Sequence, residues 1–168
     1  SGMVNENDLC TLGGFPGPLR PILGIWAEET DSLCDTDVNH VSIKNPSSDT
    51  AKTYEVKELC DLIHLEGATA LGEYTDDFYQ GRPSLTHNQY GEGSAYYIAF
   101  RNNDDFETDF YKGLVQTMGI QRLTGEPLPR GVTIQTRYDD HHTFLFVMNF
   151  TKEEQVVALN PGHQYSNL

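Results

Sequence analysis

Leu12 to Glu29, read as LGGFPGPLRPILGIWAEE, is the stretch on which the rest of the chain turns. Gly13 and Gly14 tolerate positive φ. Pro16 and Pro18 hold φ near −65° and bias Phe15 and Gly17 away from helix, so a turn is forced here. Leu19 to Trp26 is an apolar run that ends in the single tryptophan of the chain. Pro18 suits the first turn of a short helix, Pro21 limits its start and Gly24 limits its end. Glu28, Glu29 and Asp31 follow at once, and Asp31 to Asn39 reads as polar and exposed.

Working outward, Val38 to Lys44 alternates as a strand does, and Asn45 to Lys52 carries the Pro, Ser and Asp of a loop. Tyr54 to Leu65 fits both a strand parity (Tyr54, Val56, Glu58, Cys60, Leu62) and one helical face (Leu59, Leu62, Ile63, Glu66). Its β-rich flanks favour strand. Ala68 to Thr75 reads as another strand. Leu85 to Tyr90 and Ser94 to Phe100 form a hairpin around Gly91 and Gly93. The second arm is apolar on both parities, which predicts a buried strand and not an edge. Asp104 to Met118 is predicted as a helix, with Phe106, Phe110, Leu114 and Met118 along one stripe. Asn102, Asn103 or Asp104 caps it, and Asp105 and Glu107 suit the positive end of its dipole. Gln121 to Gly131 holds two glycines and two prolines and reads as a domain boundary. Val132 to Tyr138, Thr143 to Phe150 and Gln155 to Leu159 then read as an antiparallel meander, with Asp139 to His142 as a turn.

The chain has 168 residues and a formal charge of −14. That charge disfavours nucleic acid and anionic membrane surfaces, both of which select Lys and Arg. Cys10, Cys34 and Cys60 are widely spaced, lack zinc-ligand spacing and fit a reducing, cytoplasmic setting. No signal peptide and no run of about 18 apolar residues is visible.

Candidate chemistry is sparse. Glu28, Glu29 and Asp31 could hold a hard cation, but a run of like charge is more simply a solvated loop, and Asp76-Asp77 reads the same way. His141-His142 could ligate a metal together only in a turn, and reads as a hairpin tip. His64 and His87 are isolated. Cys60 lacks the small flanking residues of a nucleophile elbow and reads as a packed thiol. No catalytic, cofactor-binding or metal-binding residue is assigned, and no cofactor is expected.

Three blocks carry a family resemblance. The first runs Val4-Asn5-Glu6-Asn7-Asp8, Gly13-Gly14-Phe15-Pro16-Gly17-Pro18-Leu19-Arg20 and Leu23-Gly24-Ile25-Trp26-Ala27-Glu28-Glu29. The second is Leu59-Cys60-Asp61, Tyr74, Asp77-Phe78-Tyr79-Gln80-Gly81-Arg82-Pro83 and Tyr90-Gly91-Glu92-Gly93-Ser94-Ala95-Tyr96-Tyr97-Ile98-Ala99. The third is Tyr138 to Leu159. In this order they resemble the C-terminal portion of glycoside hydrolase family 42 β-galactosidases. The resemblance implies an α/β fold: the later part of a flavodoxin-like, glutamine-amidotransferase-like layered trimerisation domain in residues 1–120, then the start of a small antiparallel β domain in residues 121–168. It implies further elements before Ser1 and after Leu168.

It also implies a parent glycosidase that hydrolyses terminal β-D-galactosides with retention, using two carboxyl groups about 5 Å apart. In the family both glutamates belong to an upstream (β/α)8 barrel, so the galactoside substrate would bind there and this region would be non-catalytic. The implied partner is a second and third copy, as a homotrimer. Phe15, Pro16, Arg20 and Trp26 are the expected subunit-contact residues, because aromatics beside an irregular Pro/Gly loop suit an interface. Two other readings stand beside this one. A carbohydrate-binding module would use the aromatic residues and the β-rich tail. A small amidotransferase-like enzyme would depend on Cys60.

Overall fold

The computed structural model describes residues 2, 4–44, 50–101, 103–120, 124, 126–159, 162 and 164–166. Residues 1–113 form one compact unit and residues 114–168 a second.

The first unit opens with a loop, a 3-10 turn Gly17–Leu19 and a single helical turn, α1 (Arg20–Leu23), closed by Gly24 in the left-handed region at φ 61°. Seven strands follow: β1 (Ile25–Ser32), β2 (Asn39–Lys44), β3 (Ala51–Val56), β4 (Leu59–Leu65), β5 (Thr69–Tyr74), β6 (Pro83–Tyr90) and β7 (Gly93–Ile98). Five form a sheet in the order β3-β2-β5-β6-β7, and β1 pairs with β4. Every pairing is antiparallel. Short isolated links join the two sheets. Cys60 bridges Phe100, and Asp61 N–H donates to the Ala99 carbonyl at 2.6 Å.

The described chain is therefore mostly β with antiparallel sheets, and the layered α/β arrangement of parallel strands expected above is not seen in it. The reason lies in the connections. Parallel neighbours need a crossover of a dozen or more residues, and the short links β6–β7 and β5–β6 permit only antiparallel return.

Further differences from the sequence reading are local. Tyr54 to Leu65 is two strands, not one. Glu58 takes φ 71°, which turns the chain out of the five-stranded sheet into the pair with β1. Strand parity runs through this break unaltered, so periodicity cannot reveal it. Glu28, Glu29 and Asp31 lie on β1 and not in a loop. β7 is half-buried and sits last in the sheet order, so it is an edge. The expected loop at Asn45 to Lys52 lies outside the described residues from 45 to 49, and Asn102 is outside them too.

Two apolar clusters hold this unit together. Val41, Tyr54, Val56, Cys60, Leu62, Tyr74, Tyr79, Leu85, Phe100 and Phe106 form the larger. Ile25, Ala27, Ile63, Ala68 and Ala99 form the smaller, with Phe15, Leu23 and Tyr97 against it. Adjacent Leu62 and Ile63 point to different clusters because successive strand side chains alternate. Helix α2 (Asp104–Thr117) starts as expected, with the Asn103 carboxamide oxygen accepting from Phe106 N–H at 2.9 Å. Phe106 packs edge-on to Tyr54 and Phe100. Phe110 is half-buried and Met118 is exposed, so the stripe meets a core only through its first half.

In the second unit β8 (Val132–Tyr138) and β9 (Thr143–Asn149) pair antiparallel across a turn. The Asp139 carboxylate accepts from the His141 and His142 amides at 2.8 and 2.6 Å, which lowers its pKa. Gln155 to Leu159, expected as a strand, joins no ladder among the described residues. Of the expected boundary at Gln121 to Gly131, residues 121–123 and 125 are not described.

Candidate subunit-contact site

The Pro/Gly loop is built from beneath. Ala27 N–H donates to the Phe15 carbonyl at 2.9 Å, so the loop docks as a short extra rung on β1. Phe15 packs its ring on the smaller cluster, and Pro16, joined to it by a cis peptide, is fully buried. Gly17 N–H donates to the Gly14 carbonyl at 3.0 Å, closing the turn. Gly14 is also crowded, since a Cβ there would meet Trp26 Nε1 at 2.5 Å. Of the four expected contact residues, then, Phe15 and Pro16 pin the loop down, while Arg20 and Trp26 are half-exposed.

β1 and β4 place an ionic row on the outer face beside this loop. Trp26 is opposite His64 in the ladder, and their rings stack at 4.7 Å with planes 23° apart. His64 Nε2 lies 2.7 Å from Glu28 Oε2, and Arg82 Nη1 donates to the same oxygen at 3.0 Å. These two partners, His64 first, hold the Glu28 carboxyl below its usual range. Arg20 grips Glu66 with two nitrogens, one at 3.0 Å, and also donates to the Gly13 carbonyl. That pairing lowers Glu66 and raises Arg20. These charged side chains are partly to well exposed, so each pair contributes little to folding by itself. Their effect is to fix where Trp26 and the loop sit.

Exposed apolar side chains stand in the loop segment and next to it. Leu19 and Ile22, three residues apart on one side of the helical turn, are exposed, as are Leu65 and Leu12. Leu65 pairs with Ile25 at the start of β1, and the Gly24 carbonyl accepts from both Glu66 and Ala68 N–H at 2.7 and 3.1 Å. Single exposed leucines are ordinary, but a group around one rigid loop is the composition of a contact surface.

The other groups singled out in the sequence are elsewhere. Cys60 is fully buried near the start of β4, and burial pushes its thiol up, the wrong direction for a nucleophile. Asp31 accepts from Tyr79 Oη at 3.0 Å, and Asp76 pairs with His40. His87 lies against Tyr96. Among the described residues no three His, Cys, Asp or Glu side chains converge to hold a metal. No helix among them is long and apolar enough to cross a membrane.

Residues 1–121 match the family described as the β-galactosidase trimerisation domain, and residues 131–166 match the β-galactosidase C-terminal domain. The chain belongs to the glycoside hydrolase family 42 β-galactosidases. β-Galactosidase Pbg of Clostridium perfringens is 53% identical over 160 residues, which is 95% of this chain and 23% of that protein. β-Galactosidase BgaA of a Planococcus species is 42% identical over 98% of this chain and 24% of its own length. Among solved structures, the β-galactosidase from Rahnella sp. R3 superposes with a TM-score of 0.81 at 50% identity, covering 95% of this chain and 24% of that one. The chain thus spans about a quarter of the length of the relatives it matches.

Within this trimerisation-domain chain, sequence reasoning missed the cluster of His64, Glu28 and Arg82 beside Trp26, and the exposure of Leu19, Ile22 and Leu65. A strand reading of Ile25 to Ser32 would have put Trp26 and Glu28 on one parity. Their meeting with Arg82, 54 residues away from Glu28, has no local signal.

Proposed function

We propose that this chain is a non-catalytic trimerisation region of a longer, retaining β-galactosidase. The rest of that enzyme, in this reading, carries a barrel with the two catalytic carboxylates, binds terminal β-D-galactosides and acts in the cytoplasm. Residues 1–120 serve self-association as a homotrimer, and residues 121–168 begin a separate β domain. The glutamine-amidotransferase-like layering belongs to the whole trimerisation domain of the parent, to which this chain contributes antiparallel strands.

The observation that carries the reading is the surface around Gly13 to Trp26. Its underside is anchored by Phe15 and Pro16, while Leu19, Ile22 and Trp26 are partly or well exposed and the neighbouring charges of Glu28, His64, Arg82, Arg20 and Glu66 are paired with one another. Paired charges and rigid apolar side chains lose little on docking, which favours association.

Sedimentation equilibrium of the purified chain tests the contact, and release of galactose from lactose tests the division of labour. The expected results are a concentration-dependent trimer and no turnover. A chain that stays monomeric at millimolar concentration, or one that releases galactose at a rate not traceable to contamination, would count against the reading.

A further inference from the structure

Two side-chain oxygens inside the first unit have no protein partner. Ser84 Oγ and Thr86 Oγ1 are both on β6, both residues are fully buried, and neither hydroxyl meets a hydrogen-bonding group. Roughly nine in ten buried polar groups in folded proteins are paired, so each orphan asks for a cause. Here two stand on one face of one strand.

β6 alternates between the two apolar clusters. Leu85 enters the larger. Ser84 and Thr86 therefore point the other way, and Thr86 is opposite Tyr97, whose ring lies against the smaller cluster. The side chains on that side are short. Ala27, Ala68 and Ala99 belong to the smaller cluster, and Ala70 is the partner of Thr86 on β5. Packed layers stand about 10 Å apart, and an alanine methyl reaches only a short way across that gap. Ser84 Oγ lies over Gly72, 3.1 Å from the point a Cβ would occupy, so β5 offers it no side chain.

The polar side chains beside these hydroxyls are committed elsewhere. Tyr97 Oη donates to Asp61 at 2.6 Å, and Asn88, the next residue on this face of β6, donates to the Ile22 carbonyl at 2.8 Å. The backbone alongside is irregular. The register between β5 and β6 shifts on both sides of Gly72, and Leu71 is paired neither with β6 nor with β2. A bulge of this kind leaves its extra residue outside the ladder. Residues two apart on a strand have Cα atoms about 6.6 Å apart. One water at ordinary hydrogen-bond lengths spans up to about 5.5 Å between two oxygens, and rotation of the two side chains closes the difference.

We infer that β6 holds an internal water, which bridges Ser84 Oγ and Thr86 Oγ1 on the alanine-lined side of the smaller cluster. A buried water commonly makes about three hydrogen bonds. The two hydroxyls supply two, and the bulge at Leu71 is the adjacent irregular backbone for a third. The water acts as a structural ligand. It satisfies the hydroxyls and ties β6 to β5 where their ladder is broken.

Oxygen-17 magnetic relaxation dispersion of the purified chain tests this, because it follows the water oxygen and is blind to exchange of hydroxyl protons. Thr86→Val keeps the branched shape and removes the hydroxyl, and Ser84→Ala removes a single oxygen. Each should lower the number of long-lived waters by one relative to the wild type. Thr86→Ser keeps the hydroxyl and should keep the water. Both deletions should also lower the urea midpoint, because the remaining hydroxyl loses its bridge. An unchanged water count in either deletion overturns the inference. So does a midpoint that rises, since removing a hydroxyl that never had a partner is stabilising. Loss of the water in Thr86→Ser also overturns it. If Thr86→Val does not fold, Ser84→Ala decides alone.

Discussion

Gly24→Ala separates two costs that are normally confounded. Gly24 has φ 61°, and an added Cβ would lie 2.8 Å from the backbone nitrogen of Ala68 and 2.8 Å from Asn88 Cγ. Gly91 has nearly the same dihedral, φ 57°, with nothing within 4 Å of its Cβ position. Placing an L-residue in the left-handed region costs about 1–2 kcal/mol, and this applies to both sites. Only Gly24 adds a clash with backbone. The Ala68 amide is also hydrogen-bonded to the Gly24 carbonyl, so it cannot retreat without losing that bond. Overpacking of this kind costs about 1–3 kcal/mol more. Gly24→Ala should thus destabilise by about 2–5 kcal/mol and Gly91→Ala by about 1–2. With a urea slope of about 1–3 kcal/mol/M, the extra loss moves the midpoint by roughly 1 M beyond the shift of the control. Urea unfolding read by the single tryptophan, which lies two residues from Gly24, measures both. Equal midpoints for the two variants would refute the steric argument, and with it the claim that α1 is clamped onto the β4–β5 turn.

Three further outcomes follow from the packing and the charges. Phe106→Ala removes a ring packed on Tyr54, Phe100 and Phe110, and should cost about 3–5 kcal/mol in the same urea assay, whereas an exposed change such as Phe78→Ser should stay within about 0.5. Glu28 and Glu66 have folded-state pKa values held below their ordinary values, so their contribution is complete above the unfolded carboxylate pKa of about 4.3 and is lost as pH falls through the folded value. The melting temperature should therefore drop on acidification from pH 6 to 3, and less steeply in Glu28→Gln than in the wild type. Cys10 and Cys34 are exposed and Cys60 is buried, so a thiol reagent should modify two cysteines at once and the third only on unfolding. Rapid modification of all three would contradict the packing around Cys60.

How far the chain could be read in advance depends on the range of the forces involved. The proline and glycine turn, the helix from Asp104 with its Asn103 cap, the hairpin at Gly91 and the pair β8–β9 were all legible, because capping, φ restriction and strand alternation act within a few residues. Family membership was equally legible, since the motif blocks run in order through nearly the whole length. Pairing direction, the break at Glu58 and the edge position of β7 were not. They depend on which strands meet, and alternation is the same whichever neighbour a strand finds. The surface beside Trp26 belongs to this second kind. Sequence alone marked Phe15, Pro16, Arg20 and Trp26 by their neighbours in the chain. Tertiary folding decided that two of them anchor the loop from below, and it brought His64, Glu28 and Arg82 together from three separate strands or strand ends. Side-chain hydrogen bonds reach only about 3 Å, so such a row exists only once the sheets have closed.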